Sequence, residues 1–305
     1  MDYGRPIEFG LSITPEAATI SSAIEAVAAA DEDGYDLVGI QDHPYQRRFL
    51  DTMTLIAHLL AVTQRIRIFP DVASLPMRSP AMLAKEAASL DVLSGGRFEL
   101  GLGAGFFWDA VEAMGGARRT QGAAVDALAE AIAIIRQAWS GEASVRYRGR
   151  YYAVNGYRPG PPPAHHIGIW VGGYKRRMLR LTGELGDGWI PSIGRISLDE
   201  LAAGQARIDD AARAAGRDPA SIRRMVNIGA ALRGADAGDA ADQAGSDGEP
   251  AGAWIRRLAD LATIYGVDTF ILWLTALGRP QVDSFAREVF PGVRAEVDRR
   301  RESGR

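Results

Sequence analysis

An acidic residue and a histidine stand side by side early in the chain, in the segment Gln41-Asp42-His43-Pro44. An imidazole titrates near neutral pH and can pass a proton, and a neighbouring carboxylate can orient it or shift its pKa. Adjacent side chains of an extended segment point in opposite directions, so we expect Asp42 and His43 to have separate catalytic roles. The structural alternative is a loop in which Asp42 only caps the next helix.

Two glycine-rich segments could bring the main chain close to a ligand. In Gly101-Leu102-Gly103-Ala104-Gly105, glycine at every second position leaves one face of an extended chain bare. This segment lacks the context of a dinucleotide fingerprint. In Gly172-Gly173-Tyr174-Lys175-Arg176-Arg177, a turn leads into a helical pattern, and amides at a helix start attract phosphate. A plain turn followed by solvated basic side chains fits the second segment equally well.

One polar and three aromatic residues complete the candidates. Asp71 interrupts the end of an apolar run, which indicates either a contact in the site or a turn satisfied by its carboxylate. Phe106-Phe107-Trp108 follows the first glycine segment and favours a flat or apolar substrate, contacted by Phe107 and Trp108. The chain has no cysteine, which excludes thiolate chemistry, and its four histidines do not follow a metal-binding spacing.

These candidates lie at the ends of short apolar runs that alternate with stretches of helical periodicity. Continuous apolar runs are typical of parallel strands buried on both faces. Eight strand–helix repeats predict a closed α/β fold, the (β/α)8 TIM barrel, whose sites lie at the carboxyl ends of its strands. An open doubly wound sheet would place a glycine-rich turn after the first strand, where Ile13-Thr14-Pro15 stands instead. The predicted strands are Glu8–Ser12, Leu37–Ile40, Ile66–Val72, Phe98–Gly103, Ile167–Gly172, Gly188–Pro191, Met225–Leu232 and Thr269–Trp273.

Several helical stretches carry start and stop signals. Ser22 and Glu25 have the spacing of a capping box and predict a helix over Ala23–Asp33. Ser79-Pro80 predicts another helix start, and Gly95-Gly96 predicts its end. Further helices are predicted around Leu55–Val62 and over Ala123–Trp139, Lys175–Leu185, Leu198–Ala215, Trp254–Tyr265 and Gln281–Phe290.

Two segments interrupt this alternation within an expected single domain, 1–305. Residues 141–166 contain the aromatic, hairpin-like stretch Tyr147–Tyr152 and predict an insertion across the barrel mouth, between the fourth helix and the fifth strand. Residues 233–253 are rich in Gly, Ala and Asp and predict a mobile loop.

Composition and charge exclude several classes of function. The formal net charge is −3, and the absence of a polybasic run argues against nucleic acid as a partner. No apolar stretch approaches the roughly 18 residues of a membrane span, and the first residues lack the pattern of a signal peptide. We therefore expect a cytoplasmic protein that acts on a small-molecule substrate.

Taken together, these segments resemble the bacterial luciferase-like family over nearly the whole chain. The resemblance implies a (β/α)8 barrel that uses either FMN or the 5-deazaflavin coenzyme F420. F420-dependent members carry Asp-His after the second strand, where many FMN-dependent members carry Glu-His-His, so Asp42-His43 favours F420. The segments that carry the resemblance are Ile40–His43, Leu75–Pro80, Lys85–Arg97, Gly101–Gly105, Ile169–Gly173, Gly186–Trp189 and Tyr265–Asp268.

The resemblance also implies roles for individual residues. Asp42 would touch the pyrimidine edge of the cofactor ring, and His43 would lie near its reacting face. A non-proline cis peptide near Asp71-Val72 would back the middle of the ring. The cofactor phosphate would lie against the main chain of Gly103-Ala104-Gly105-Phe106 and the helix start at Gly172-Gly173-Tyr174-Lys175.

One position departs from the family's pattern. Some relatives that oxidise sugar phosphates place a glutamate acid where Phe106 stands, which argues against their substrate and mechanism here. The resemblance further implies that Asp109 reaches the cofactor chain and that two copies form a homodimer through the second and third helices. Three functions stay open: hydride transfer with F420, FMN-dependent monooxygenation with a reductase partner, and a cofactor-binding barrel without catalysis.

Overall fold

A parallel sheet of nine short strands organises the chain, and a separate antiparallel hairpin is inserted into it. The computed structural model describes residues 1–233 and 248–304. The first six strands in this part are β1 (Glu8–Ile13), β2 (Leu37–Ile40), β3 (Arg67–Pro70), β4 (Ala73–Ser74), β5 (Leu100–Gly103) and the hairpin strand β6 (Val145–Arg148). They are followed by the second hairpin strand β7 (Ala153–Tyr157), then β8 (Ile169–Gly172), β9 (Gly188–Trp189), β10 (Arg223–Ala230) and β11 (Thr269–Leu274).

The sheet closes into a barrel. Its strands are hydrogen-bonded in the order β3-β2-β1-β11-β10-β9-β8-β5-β4. β3 lies within the third predicted strand, Ile66–Val72, and β4 continues the same strand position beyond Asp71 and Val72. A parallel bridge between Ile68 and Phe98 joins β3 to the segment that leads into β5. Eight strand positions therefore surround the axis, and the predicted (β/α)8 barrel is confirmed.

Helices cover the outside of this barrel. They are α1 (Ile20–Glu32), α2 (Thr52–Val62), α3 (Pro80–Ser94), α4 (Trp108–Ala113), α5 (Gln121–Trp139), α6 (Arg176–Leu185), α7 (Leu198–Ala214), α8 (Ala251–Thr263), α9 (Arg279–Ser284) and α10 (Phe290–Ser303). A π-helical turn, Phe285–Val289, joins the last two. Within the described ranges, none of the helices combines the length and apolar character that crossing a lipid bilayer requires.

The start and stop signals succeed at α3 and fail at α1. α3 begins at Pro80 and ends before Gly95, which takes the left-handed conformation (φ 71°), as predicted. α1 begins at Ile20, so Ser22 lies inside the helix and the capping-box prediction is wrong. The reason is packing, because Ile20 and Ile24 lie one turn apart and both pack against the core.

Most apolar side chains are buried between the outer face of the barrel and its helices. A second, smaller cluster fills the inside of the barrel below its mouth, by which we mean the carboxyl ends of the strands. These side chains pack together, so the lower barrel is a core and not a channel. Complete burial of one such side chain contributes about 1.5–3 kcal/mol to the free energy of folding. The inner cluster consists of Leu37, Phe69, Trp170, Ile190, Met225 and Ile271.

Ion pairs close the barrel at the opposite end, where the strands begin. Arg67 lies between two carboxylates, 2.6 Å from Oε2 of Glu8 and 3.3 Å from Oε1 of Glu99. Arg223 lies 2.7 Å from Oε2 of Glu8 and 3.6 Å from Oδ1 of Asp268. These groups satisfy one another, which leaves the mouth as the open end of the barrel.

The inserted hairpin is fixed to the helices beside it. The carboxylate of Glu130 on α5 accepts hydrogen bonds from the amides of Arg150, Tyr151 and Tyr152 at 2.7, 2.9 and 3.0 Å. Arg119 donates to the hydroxyl of Tyr152. These contacts anchor the tip of the hairpin, and its course across the mouth stays a prediction.

The segment predicted as a mobile loop, 233–253, is described only at its ends, because residues 234–247 lie outside the described residues. At those ends, Leu232 and Glu249 form a parallel bridge. Helix α8 begins at Ala251, inside the predicted segment.

His165 fastens the end of the insertion to the barrel. Its Nδ1 lies 2.7 Å from Oδ1 of Asp91, and its Nε2 lies 3.6 Å from Oε1 of Glu99. The amides of Ala164 and His165 donate to the other oxygen of Asp91. The carboxylates of Glu99 and Asp91 raise the pKa of His165 above its ordinary value.

This latch predicts a pH-dependent contribution to stability. Because the folded pKa is raised, the protonated imidazole stabilises the fold fully at acidic pH, and the contribution fades as pH rises through the folded pKa. We expect His165→Asn to lower the free energy of unfolding by about 1–2 kcal/mol near pH 5.5 and by clearly less near pH 8.5. Urea denaturation at both pH values measures this. The exposed His58→Asn serves as control, and an equal loss at both pH values would contradict the latch.

Candidate active site

His43 lies at the mouth, directly after β2, among aromatic rings. Its Nδ1 is 2.8 Å from the hydroxyl of Tyr45. Its ring centroid is 5.6 Å from that of Phe107, in an edge-to-face arrangement at 84°. The rings of Tyr45 and Phe107 also meet, at 5.7 Å, so the imidazole is held from two sides.

The surroundings of His43 favour its neutral form. Burial lowers its pKa, the nearby Asp42 opposes that shift, and Arg195 adds to it. Burial raises the pKa of Tyr45 to about 12, so its hydroxyl keeps its proton near neutral pH. A neutral imidazole that accepts the Tyr45 proton at Nδ1 carries its own proton on Nε2. In the tautomer in which Tyr45 donates to Nδ1, the imidazole presents one N–H group, at Nε2.

Asp42 points the other way, into the outer wall of the barrel. Its side chain is almost fully buried and forms two hydrogen bonds with Arg78, at 3.0 and 3.1 Å. It also accepts a hydrogen bond of 2.8 Å from the amide of Ser74 on β4. The side chains of Asp42 and His43 thus make separate contacts, as expected, whereas their catalytic roles and contact between Asp42 and a cofactor stay predictions.

Arg78 connects Asp42 to the start of α2. Its guanidinium group also donates to Oδ2 of Asp51 at 2.8 Å. Asp51 is the N-cap of α2 and accepts from the amide of Thr54. Asp42 therefore does not cap the next helix, because Asp51 does so and Arg78 links the two carboxylates.

The third barrel strand breaks where the resemblance implied. The peptide between Asp71 and Val72 is cis, which confirms that expectation. Asp71 lies two residues beyond Phe69 of the inner cluster and is directed into the barrel, over Gly39. Burial raises the pKa of Asp71 to about 7, and a hydrogen bond from Asn227 partly offsets that shift.

Val72 occupies the space that the glycines of neighbouring strands leave open. A Cβ atom at Gly103 would lie 2.8 Å from Cγ2 of Val72, and one at Gly172 would lie 2.9 Å from the same atom. A Cβ atom at Gly101 would lie 2.1 Å from the carbonyl oxygen of Pro70. The expectation that these glycines serve close approach of a ligand is therefore incomplete, because the protein's own third strand already makes that approach.

The two glycine segments meet at the mouth. Gly103 of β5 and Gly172 of β8 are direct register partners, so the two segments leave the sheet from adjacent strand ends. These segments are brought together as the phosphate-binding prediction requires.

The start of α6 keeps its first amides available. Lys175, the N-cap, forms no capping hydrogen bond with its side chain, and Tyr174 and Lys175 are exposed. Arg177 pairs with Asp126 of α5 and is directed away from the loop. The binding of a phosphate here stays a prediction.

Asp109 stands at the rim. Its carboxylate is exposed and paired with Arg118, which also lies 2.6 Å from Oε2 of Glu112. Contact between Asp109 and a cofactor stays a prediction. A shallow cavity of about 350 Å³ adjoins this residue. The cavity is lined by Phe106, Phe107, Trp108, Asp109, Ala110 and Arg118.

Sequence reasoning missed several residues of the mouth. For Tyr45, the only indication in the sequence is its position two residues after His43. Asn227 is a polar residue inside an apolar strand, a signal of the same kind that singled out Asp71. Trp273 is the last residue but one of the last strand and is 46% exposed, although its inward neighbour Ile271 is fully buried. Gly229 is its register partner on β10.

The fold and its mouth define a class: an α/β barrel with an imidazole and two glycine segments at the carboxyl ends of its strands. The family model for luciferase-like monooxygenases matches residues 4–281. The chain belongs to this family and is an oxidoreductase. The alternative of a barrel without catalysis is thereby set aside.

Two curated relatives share part of this chain. The 5,10-methylenetetrahydromethanopterin reductase of Archaeoglobus fulgidus is 33% identical over 184 residues, 60% of this chain and 52% of that protein. The F420-dependent hydroxymycolic acid dehydrogenase of Mycobacterium tuberculosis is 30% identical over 228 residues, 72% of this chain and 61% of that protein. The matches thus span about half to three fifths of these relatives.

The likeness of fold extends further than the likeness of sequence. The solved structure of an F420-dependent secondary alcohol dehydrogenase in complex with an F420-acetone adduct has a TM-score of 0.81 to this chain. The two are 19% identical, and the superposition covers 95% of this chain and 99% of that one.

The residues at the mouth fit a flat cofactor with a phosphate-bearing chain. A Cβ atom at Gly229, on the inward face of β10, would have no atom within 4 Å, so there is open space above the inner cluster. Val72 is partly exposed beneath that space. Phosphate binding by the main chain after Gly103 and Gly172 stays a prediction.

The buried contacts of Asp42 predict a stability effect. In Asp42→Ala, the half-buried guanidinium of Arg78 loses its two-pronged partner and the Ser74 amide loses its acceptor. We expect the free energy of unfolding to fall by about 3 kcal/mol, measured by guanidinium denaturation. Asp126→Ala, which removes an exposed ion pair, should cost at most about 1 kcal/mol. Equal effects of the two variants would contradict the structural role of Asp42.

Proposed function

We propose that this protein transfers a hydride between coenzyme F420 and a small organic substrate. The observation that carries the proposal is that adjacent Asp42 and His43 make separate contacts. Asp42 is bound to Arg78 and Ser74, whereas His43 lies at the open mouth beside Tyr45. The relative named as an F420-dependent dehydrogenase supports it.

The chain itself would supply the frame for the cofactor. The amides of Gly103–Phe106 and Gly172–Lys175 would hold the phosphate, and Val72 would support the ring from below. When bound, the deazaflavin supplies the carbon that accepts or donates the hydride. His43 would supply or receive the proton that accompanies this transfer, through Nε2, while Tyr45 holds Nδ1.

The mouth favours a substrate with a flat or apolar surface. Phe106 is 75% exposed, Phe107 is 44% exposed, and the ring of Trp273 stands at the opposite side of the strand order. Exposed aromatic rings recognise flat or apolar molecules through contact area. Phe106 cannot act as an acid, so His43 is the proton donor that this proposal relies on.

FMN-dependent monooxygenation is the second candidate, since the matching family model describes luciferase-like monooxygenases. It would use the same mouth and the same amides. Oxygen uptake coupled to substrate hydroxylation by the protein with reduced FMN would favour it.

Cofactor titration tests the first candidate. We expect F420 to bind more tightly than FMN, as followed by the absorbance of the bound chromophore, and tighter binding of FMN would overturn the choice of cofactor. Because His43 would handle the proton, we expect His43→Ala to slow turnover by roughly 100-fold or more with little change in F420 affinity. Unchanged turnover would remove His43 from that role, and His58→Ala provides the control.

We further propose that a second copy of the chain covers an apolar face on α2 and α3. Four large apolar side chains stand exposed there: Val62, Met82, Val92 and Leu93, the last with 84% of its surface exposed. Large apolar side chains exposed on two neighbouring helices are typical of association surfaces.

The mass in solution tests this association. We expect light scattering to give twice the 32.8 kDa of one chain, and Leu93→Lys combined with Met82→Lys to give the single-chain mass. Ile264→Lys, a charge placed at an exposed isoleucine elsewhere, should leave the mass unchanged. A single-chain mass for the unmodified protein would refute the proposal.

A further inference from the structure

We propose that Asp71, oriented by Asn227, is the residue whose carboxyl group meets the polar edge of the cofactor ring. The inference rests on the proposed function, because it requires a ring with such an edge in the mouth. It gives Asp71 the contact that the resemblance assigned to Asp42.

Position separates the two acidic residues. Asp42 is 3% exposed, and both of its oxygens are engaged in the outer wall. Asp71 is directed into the barrel and stays partly exposed there. A Cβ atom built on Gly39 would lie 3.1 Å from Cβ and 3.2 Å from Oδ2 of Asp71, so glycine at position 39 makes room for this side chain.

Asn227 supplies the second observation. It is 9% exposed and lies two residues beyond Met225 of the inner cluster, on the inward face of β10. Its side-chain oxygen is buried and finds no hydrogen-bond partner among the described residues. An unpaired buried oxygen costs about 1–3 kcal/mol, so this side-chain oxygen calls for a hydrogen-bond donor.

Protonation of Asp71 meets that need. A carboxylate has no hydrogen to give, whereas a carboxylic acid donates one and keeps acceptor positions free. The neutral acid would donate to the side-chain oxygen of Asn227 and accept from the side-chain NH2 group of the same residue. It could still accept from an N–H group at the ring edge. The raised pKa of Asp71 agrees with this arrangement.

The charged groups around this pair are remote or already paired. Gly39 of β2 and Asn227 of β10 do not titrate. At the opposite strand ends, Glu8, Arg67, Glu99, Arg223 and Asp268 pair with one another. On the mouth side stand His43 after β2 and Arg195 after β9.

The experiment compares F420 affinity among variants at position 71. Asp71→Asn mimics the neutral acid, because an amide both donates and accepts, so we expect its dissociation constant to stay within about threefold of the unmodified protein. Asp71→Ala removes both functions, and we expect roughly tenfold weaker binding. Asn227→Ala should weaken binding by a similar factor. Asp36→Asn, another partly buried acid with a raised pKa but at the lower end of β2, is the matched control.

The pH dependence of F420 affinity distinguishes direct contact with the ring from a purely structural role of Asp71. A ring that covers Asp71 removes its remaining water and disfavours the charged form. The affinity of the unmodified protein should therefore fall as pH rises through about 7, the pKa of Asp71, and Asp71→Asn should lack this component. Ionisation of the cofactor itself is common to both proteins and cancels in the comparison.

The outcomes separate the two proposals. If the unmodified protein binds neither F420 nor FMN, the proposed function fails, and the inference fails with it. If the unmodified protein binds F420 and Asp71→Ala binds it equally well while circular dichroism shows a native fold, only the inference is overturned. Loss of binding in Asp71→Asn equal to that in Asp71→Ala would also overturn it, because a neutral mimic would then not suffice.

Discussion

The side chain of Val72 fills the space between neighbouring strands at the mouth of the barrel, and this packing requires glycine at several positions around it. Gly101, Gly103 and Gly172 stand where any Cβ atom would collide with Val72 or with the chain just before it. The same lack of side chains brings main-chain amides to the rim. In the proposed function, this one steric requirement would shape both the support for a flat ring and the place where an anionic group binds.

Polar groups are divided between the two sides of the barrel wall. On the outside, Asp42 and Arg78 form a fully partnered ion pair that ties the loop of His43 to β4 and α2. On the inside, Asp71 and Asn227 are left without an ionic partner. The ion pair thus lies where it stabilises the fold, and in the proposed arrangement the acid with the raised pKa lies where a ligand would cover it.

Much of this could be predicted from the sequence, for reasons that are local. Apolar runs mark buried parallel strands, and Ser79-Pro80 with Gly95 marks the limits of α3, because each depends on a few adjacent residues. The pairing of Asp42 with Arg78 depends on how the chain folds back between two strands, which no spacing encodes. The failed capping box at Ser22 shows tertiary packing of Ile20 overriding a local signal.

The ion-paired lower end has a kinetic consequence for the proposed function. Glu8, Arg67, Glu99 and Arg223 leave the barrel with one entrance, so whatever lies deepest must arrive first and depart last. A ring resting on Val72 would be covered by the molecule that reacts with it. Steady-state turnover would then follow a compulsory order, with the product leaving before the cofactor is free to exchange.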